Sequence, residues 1–351
     1  MRTALTDLLG CRHPIVQTGM GYVAGARLVS AVAEAGGFGI VASATMTVDE
    51  LRDTIHRIKD RTGNPFGVNV RSDAPDAAER IQLLIQEQVR LASFALAPSR
   101  DLIRRCADGG VLTMPSVGAR RHAEKVAEWG VDAVLVQGGE GGGHTGMVPT
   151  TLLLPQVVDA VGIPVVAAGG FFDGRGLVAA LSYGAAGIAM GTRFLLTAES
   201  PVGTRVKQLY LDADVTGTVV TTAVDGVPHR VLRTSYVNAL EKSGTVGALL
   251  RSARHAVAFR HLAELSWPQL VRAGRAARHG RELTWAQTLM AAGTPVLLRA
   301  AMVDGRPEFG VMSAGQVAGL IGDLPSCAEL IERIMKEAAD GLDRLTAARE
   351  S

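Results

Sequence analysis

The chain has little cysteine. Cys11, Cys106 and Cys327 lie far apart, with no CxxC pair and no His-rich spacing beside them. That excludes a disulfide framework and gives no zinc signature, so inert thiols are expected and no metal is assigned. An excess of charge of either sign is also missing, with 36 Lys and Arg against 34 Asp and Glu in 351 residues. A dedicated nucleic-acid binder would carry a basic footprint, so function has to be local. Long apolar runs are absent too: the stretch 286–303 is broken by Gly293, Pro295 and Arg299, and an acid, Asp7, stands near the start. Neither a membrane span nor a secretory leader fits, and a cytoplasmic setting is expected.

What is abundant is glycine, at 41 residues. Its placement organises the first 200 positions. A stretch of helical composition, a glycine, then a short run rich in Val, Ile and Ala recurs at Gly37, Gly110, Gly130, Gly162 and Gly184. Glycine just past a helix takes the left-handed cap, and a short continuous apolar run suits a strand buried on both faces. With the openings at 13–17, 66–71 and 91–96, this makes eight βα units before residue 192. That number and spacing predict an α/β fold, a (β/α)8 TIM barrel, over residues 1–199. After it come strand-like Thr218 to Thr222 and a long Ala-, Leu- and Arg-rich helical stretch. A mainly helical cap is expected over 200–312, with C-terminal helices at 313–351 packing back on the barrel.

Barrel enzymes work at the C-terminal ends of their strands and commonly hold phosphate in the loops after strands seven and eight. Here those loops are Gly169-Gly170 and Ala189-Met190-Gly191-Thr192. Exposed backbone N–H groups and the Thr192 hydroxyl would cradle an anion, the alternative being tight strand–helix packing. Glycine-rich turns also follow strand one, at Gly19-Met20-Gly21, and strand six, where residues 137–146 hold six glycines around His144. The pattern at 141–146 superficially matches a dinucleotide fingerprint, but Pro149 follows at once and no acid stands where that fold needs one. A mononucleotide lying across the barrel mouth fits better, and FMN has that shape.

The motifs Pro14-Ile-Val-Gln-Thr-Gly-Met-Gly, Phe66-Gly-Val-Asn, the glycine run ending at His144, Ala167-Ala-Gly-Gly-Phe-Phe-Asp-Gly, Met190-Gly-Thr-Arg-Phe and Ala314-Gly-Gln-Val-Ala-Gly-Leu occur in order along the chain. Jointly they resemble the nitronate monooxygenase family of FMN flavoproteins, which also contains flavin-dependent enoyl-ACP reductases. The resemblance implies that Asn69, Gln137, Gly142, Gly170 and the run Ala189 to Thr192 contact FMN, with Gly143 and Gly169 beside them. It also implies that His144 is the catalytic histidine. Ala189 stands where many relatives have glutamine, a departure that leaves the side-chain contact at this position open. The stretch from Arg278 to Pro295 is similar to the actinobacterial flavoproteins of steroid C/D-ring breakdown, which act on an indane-type coenzyme A thioester. That implies a flavin-dependent desaturation of a ring-keto acyl-CoA. The alternatives are oxidation of alkyl nitronates with O2 and NAD(P)H-dependent reduction of an enoyl thioester.

An imidazole with an ordinary pKa near 6.5 is poised to move a proton at neutral pH, and such help is typically worth about 10²–10⁴-fold. His144 either does this at a carbon made acidic by a neighbouring carbonyl or nitro group, or only hydrogen-bonds the flavin. His229, in Asp225-Gly-Val-Pro-His-Arg230, is a candidate to edge the substrate pocket. Between 251 and 281 seven arginines face one acid, Glu264. Arg272, Arg275 and Arg278 among them would grip coenzyme A phosphates with bidentate forks, unless they form a solvated helix face. NAD(P)H, O2 and a homodimer are all compatible with the sequence; electron partner and oligomeric state are not legible from it.

Overall fold

The computed structural model describes residues 1–95, 98–242 and 285–350. Eight parallel strands close into a barrel: β1 (Ile15–Gln17), β2 (Phe38–Ala42), β3 (Gly67–Arg71), β4 (Leu91–Ala95), β5 (Leu112–Val117), β6 (Val134–Gln137), β8 (Val165–Ala168) and β9 (Gly187–Met190). Closure pairs Val16 of β1 with Ala189 of β9. All eight runs expected from the sequence are strands of this barrel. The reason is burial on both faces. Val16, Phe38, Ile40, Leu91, Met114, Leu135, Val166, Ala168 and Ala189 fill the interior, joined by Leu5 and Leu9 of α1 (Ala4–Leu9). The other face of the strands packs against the surrounding helices α2 (Ala26–Glu34), α3 (Val48–Lys59), α4 (Ala77–Gln86), α5 (Arg100–Asp108), α6 (Arg120–Ala127), α7 (Thr150–Val158) and α8 (Gly174–Ser182).

The glycine punctuation works as expected at Gly110, Gly130 and Gly184, which take φ of 73°, 83° and 89°. Two positions differ. Before β2 the left-handed residue is Gly36, φ 89°, one earlier than expected, and Gly162 does not adopt positive φ, since α7 ends on Asp159 in an ordinary right-handed conformation.

After the short helix α9 (Thr192–Leu195) and α10 (Thr204–Leu211), the chain forms an antiparallel hairpin, β10 (Thr218–Thr221) and β11 (His229–Leu232). A two-residue strand, β7 (Gly143–His144), joins its outer edge, pairing His144 with His229 and Gly143 with Arg230. The described part of 200–312 thus holds a small sheet besides its helices α11 (Ser235–Lys242) and α12 (Trp285–Met302). The last helix, α13 (Cys327–Glu350), packs back on α8 and α2, burying Cys327, Leu330, Ile331, Ile334 and Ala338. Among the described residues no helix is long and apolar enough to cross a membrane.

Candidate active site

The β6–α7 loop is held in place by its own backbone and by four neighbours, Ala168, Thr150, Arg230 and Gln316. Gly138 N donates to Ala168 O at 3.0 Å and Gly139 N to Val148 O at 2.7 Å. The Glu140 carboxylate accepts from Thr150 N and, at 2.7 Å, from its hydroxyl. The Arg230 guanidinium donates to Gly139 O at 2.8 Å, and Gln316 N donates to Glu140 O at 3.0 Å. Several glycines are therefore required by protein packing. A Cβ on Gly138 would lie 2.0 Å from Thr150 Oγ1, one on Gly141 2.6 Å from Gln137 Nε2, and one on Gly142 2.6 Å from Gly315 N. Gly143 is different: its φ is 77°, and a Cβ there would meet nothing within 4 Å. The open part of the glycine run is next to the histidine.

His144 closes this loop. Gln137 Nε2 donates to its carbonyl at 2.8 Å, and its own Nε2 lies 2.6 Å from Asp225 Oδ2. The two differ sharply in exposure: the His144 side chain is 54% exposed and that of Asp225 3%. Burial alone would push the Asp225 pKa up, but the imidazoles of His144 and His229 beside it outweigh that and hold it well below the ordinary carboxylate range. Asp225 is therefore an anion. His229 stands behind, its ring centroid 4.7 Å from that of His144 and its Nε2 2.9 Å from Ser313 Oγ. Its Nδ1 is 3.6 Å from Asp225 Oδ2, longer than a hydrogen bond. Burial lowers its pKa, against the pull of Asp225, so it is held neutral. With its side chain 3% exposed, His229 backs His144 and does not edge the opening as the sequence suggested.

The other expected residues do gather at the C-terminal ends of the strands. Gly19 lies so close to Asn69 that a Cβ on it would be 2.7 Å from Asn69 Cβ, and one on Gly191 would be 3.5 Å from Met20 Sδ; Gly21 follows in the same turn. Gly169 and Gly170 have φ of 91° and 88°, as the turn after β8 demands. The Thr192 hydroxyl accepts from Gly315 N at 2.9 Å, so part of its capacity is used within the protein. The side chains of Ala189 and Met190 are buried in the core, leaving only their backbone to the mouth. Arg272, Arg275 and Arg278 lie outside the described residues.

Sequence reasoning missed several groups here. Asp225 and Ser313 gave no signal of their own beyond the Asp-x-x-x-His spacing from 225 to 229. Gln17, fully buried at the end of β1, has a side-chain oxygen with no hydrogen-bond partner. Arg71, at the end of β3, is braced by two hydrogen bonds to Asp73 and feels the charge of Asp225. These residues fit a flavin. Bare main chain at Gly143, Gly170 and Gly191 gives room for a flat ring and an anionic tail, and the amides of Gln17, Asn69 and Gln137 suit a ring edge that both donates and accepts.

A closed parallel barrel with a glycine-edged mouth and a half-exposed imidazole hydrogen-bonded to a buried carboxylate is an arrangement able to move a proton. A model of the nitronate monooxygenase family matches residues 2–82 and 77–337, and the chain belongs to that family. It is a flavin-dependent oxidoreductase. It is 60% identical, over 100% of its length and 99% of the relative's, to the (3aS,4S,5R,7aS)-5-hydroxy-7a-methyl-1-oxo-octahydro-1H-indene-4-carboxyl-CoA dehydrogenase of Mycobacterium tuberculosis. The Rhodococcus jostii dehydrogenase of the same description is 57% identical, covering 99% of each chain. Among solved structures, FabK from Thermotoga maritima superposes with a TM-score of 0.84 at 34% identity, covering 99% of each chain.

Proposed function

We propose that the protein desaturates a ring-keto acyl-CoA of the indane type, an intermediate of steroid C/D-ring catabolism, with FMN as its flavin and His144 as the base. The observation that carries the chemistry is the half-exposed His144 imidazole hydrogen-bonded to the buried Asp225 carboxyl group at the C-terminal end of the barrel. The substrate class follows the two dehydrogenases that match along the whole chain.

In this reading the main chain of Gly169, Gly170, Gly191 and Thr192 holds the FMN phosphate. Gly19, Met20, Gly21, Asn69, Gln137, Gly142 and Gly143 surround its ring. When bound, FMN supplies the acceptor for a hydride equivalent. The remaining work belongs to the chain. His144 takes a proton from the carbon beside the carbonyl, the hydrogen on the adjacent carbon leaves with its electron pair, and a carbon–carbon double bond forms. The positive imidazolium then stands against Asp225, a preorganised anion that needs no rearrangement. A small-molecule thioester in an aqueous, cytoplasmic setting suits this site.

Anaerobic mixing of the yellow protein with three donors tests the reading. Bleaching of the flavin by a saturated keto-acyl-CoA is expected. Bleaching by an alkyl nitronate alone, or by NAD(P)H alone, would overturn it in favour of a nitronate monooxygenase or an enoyl-thioester reductase.

A further inference from the structure

His144 is one end of a chain of buried polar groups. Its Nε2 lies 2.6 Å from Asp225 Oδ2, a short hydrogen bond. Asp225 Oδ1 accepts from Val227 N at 3.3 Å, and Thr294 Oγ1 lies 3.4 Å from Oδ2, so the carboxylate is fixed on two sides. Behind it the His229 ring is held through Nε2 by Ser313 Oγ, and Ser313 O accepts from the Tyr210 hydroxyl at 2.9 Å. Cross-strand pairing of His144 with His229 and a β-bridge between Val231 and Ser313 fix these residues to one small sheet.

We infer that Asp225 is the positioning carboxylate of His144: by accepting the Nε2 proton it leaves Nδ1 as the nitrogen that takes the substrate proton. This rests on the reading of His144 as the base. An ionised carboxylate can only accept, so the ring nitrogen facing it must carry hydrogen, and in a neutral imidazole the other nitrogen then holds the lone pair. Among the described residues His144 Nδ1 has no hydrogen-bond partner, and the ring that carries it is half exposed, so this nitrogen is free to meet a substrate. In the step itself the substrate C–H bond breaks, an Nδ1–H bond forms, and the freed electron pair becomes the new double bond as hydride departs to the flavin. His229 cannot take this part, because it is buried and its Nε2 is engaged with Ser313.

The same three side chains have donor atoms within 4.8 Å of one another, as a metal site would. A tetrahedral ion with bonds of about 2.0–2.2 Å would need its ligand atoms more than 3 Å apart. The 2.6 Å contact is instead a direct hydrogen bond between the two side chains.

The test is nitrogen NMR of the flavin-loaded protein labelled with 15N-histidine, together with single-turnover flavin reduction in variants. In the neutral wild-type ring His144 Nε2 is expected to carry the proton and Nδ1 none. A spectrum with the proton on Nδ1, or with no proton on the nitrogen facing Asp225 as a bound ion would require, overturns the inference. Asp225→Asn is expected to keep FMN and a near-normal KM while flavin reduction slows about 10²-fold, within the range of general-base help. Asp225→Glu is expected to recover part of the rate. If Asp225→Asn reduces flavin at the wild-type rate while His144→Ala is slow, the positioning role fails and the base survives. If His144→Ala is also fast, the base itself fails. Should Asp225→Asn lose its flavin, the tautomer in the wild-type protein decides alone.

Discussion

A carboxylate with 3% of its side chain exposed stays ionised only if donors surround it, and Asp225 has them in His144, Val227 N and Thr294. Its pKa is depressed, which sets the sign of a pH effect. The stability it adds is present above its unfolded value of 3.8 and is lost as pH falls through the lower folded value. The difference in melting temperature between wild type and Asp225→Asn is therefore expected to hold steady above about pH 5 and to close in stronger acid. A gap that widened in acid would contradict the assignment. Two neighbouring glycines separate packing from conformation. Gly142→Ala drives a Cβ to 2.6 Å from Gly315 N and is expected to cost about 1–3 kcal/mol in denaturant unfolding, with loss of bound flavin. Gly143→Ala meets open space and pays only for its φ of 77°, about 1 kcal/mol. His144 was legible in the sequence because a lone imidazole stands in a glycine run. Asp225 was not, because its partner lies 81 positions away and only folding brings them together.

At the scale of elements, the barrel strands were legible for one physical reason. Most are short apolar runs buried on both faces, such as Phe38–Ala42, all five residues of which are buried. The strand that matters most to the site was not legible. Gly143–His144 has two residues and no periodic pattern, and it is a strand only because β11 offers its edge. Arg230 secures that arrangement by donating from Nε and Nη2 to Gly139 O. Arg230→Met removes these bonds from a partly buried carbonyl and is expected to cost about 1–3 kcal/mol. Faster amide exchange at Thr145, whose N–H donates to Pro228 O, would report the loosened strand. Unchanged exchange there would show that the glycine loop holds itself.

For the whole molecule, the barrel places the site and the segments beyond it complete the site. The hairpin of β10 and β11 supplies His229 beside Asp225, the stretch at 313–316 supplies Ser313 and braces Glu140, and α13 ties the C-terminal region to the barrel. The last contact is close: a Cβ on Gly174 would lie 2.4 Å from Ala338 N, and Gly174 N donates to Glu337 at 2.8 Å. Truncating Ile334, 1% exposed in this seam, is expected to cost about 2–5 kcal/mol as Ile334→Ala, measured by denaturant unfolding. A loss below about 0.5 kcal/mol would mean that α13 adds little to the barrel. The central claim joins barrel, loop and hairpin in one proton transfer at His144. It is tested most directly by the rate at which an indane-type keto-acyl-CoA bleaches the flavin without oxygen, in wild type and in His144→Ala. The account predicts rapid bleaching in wild type and a rate about 10²–10⁴-fold lower in a variant that still binds FMN. Equal rates in the two proteins would contradict it.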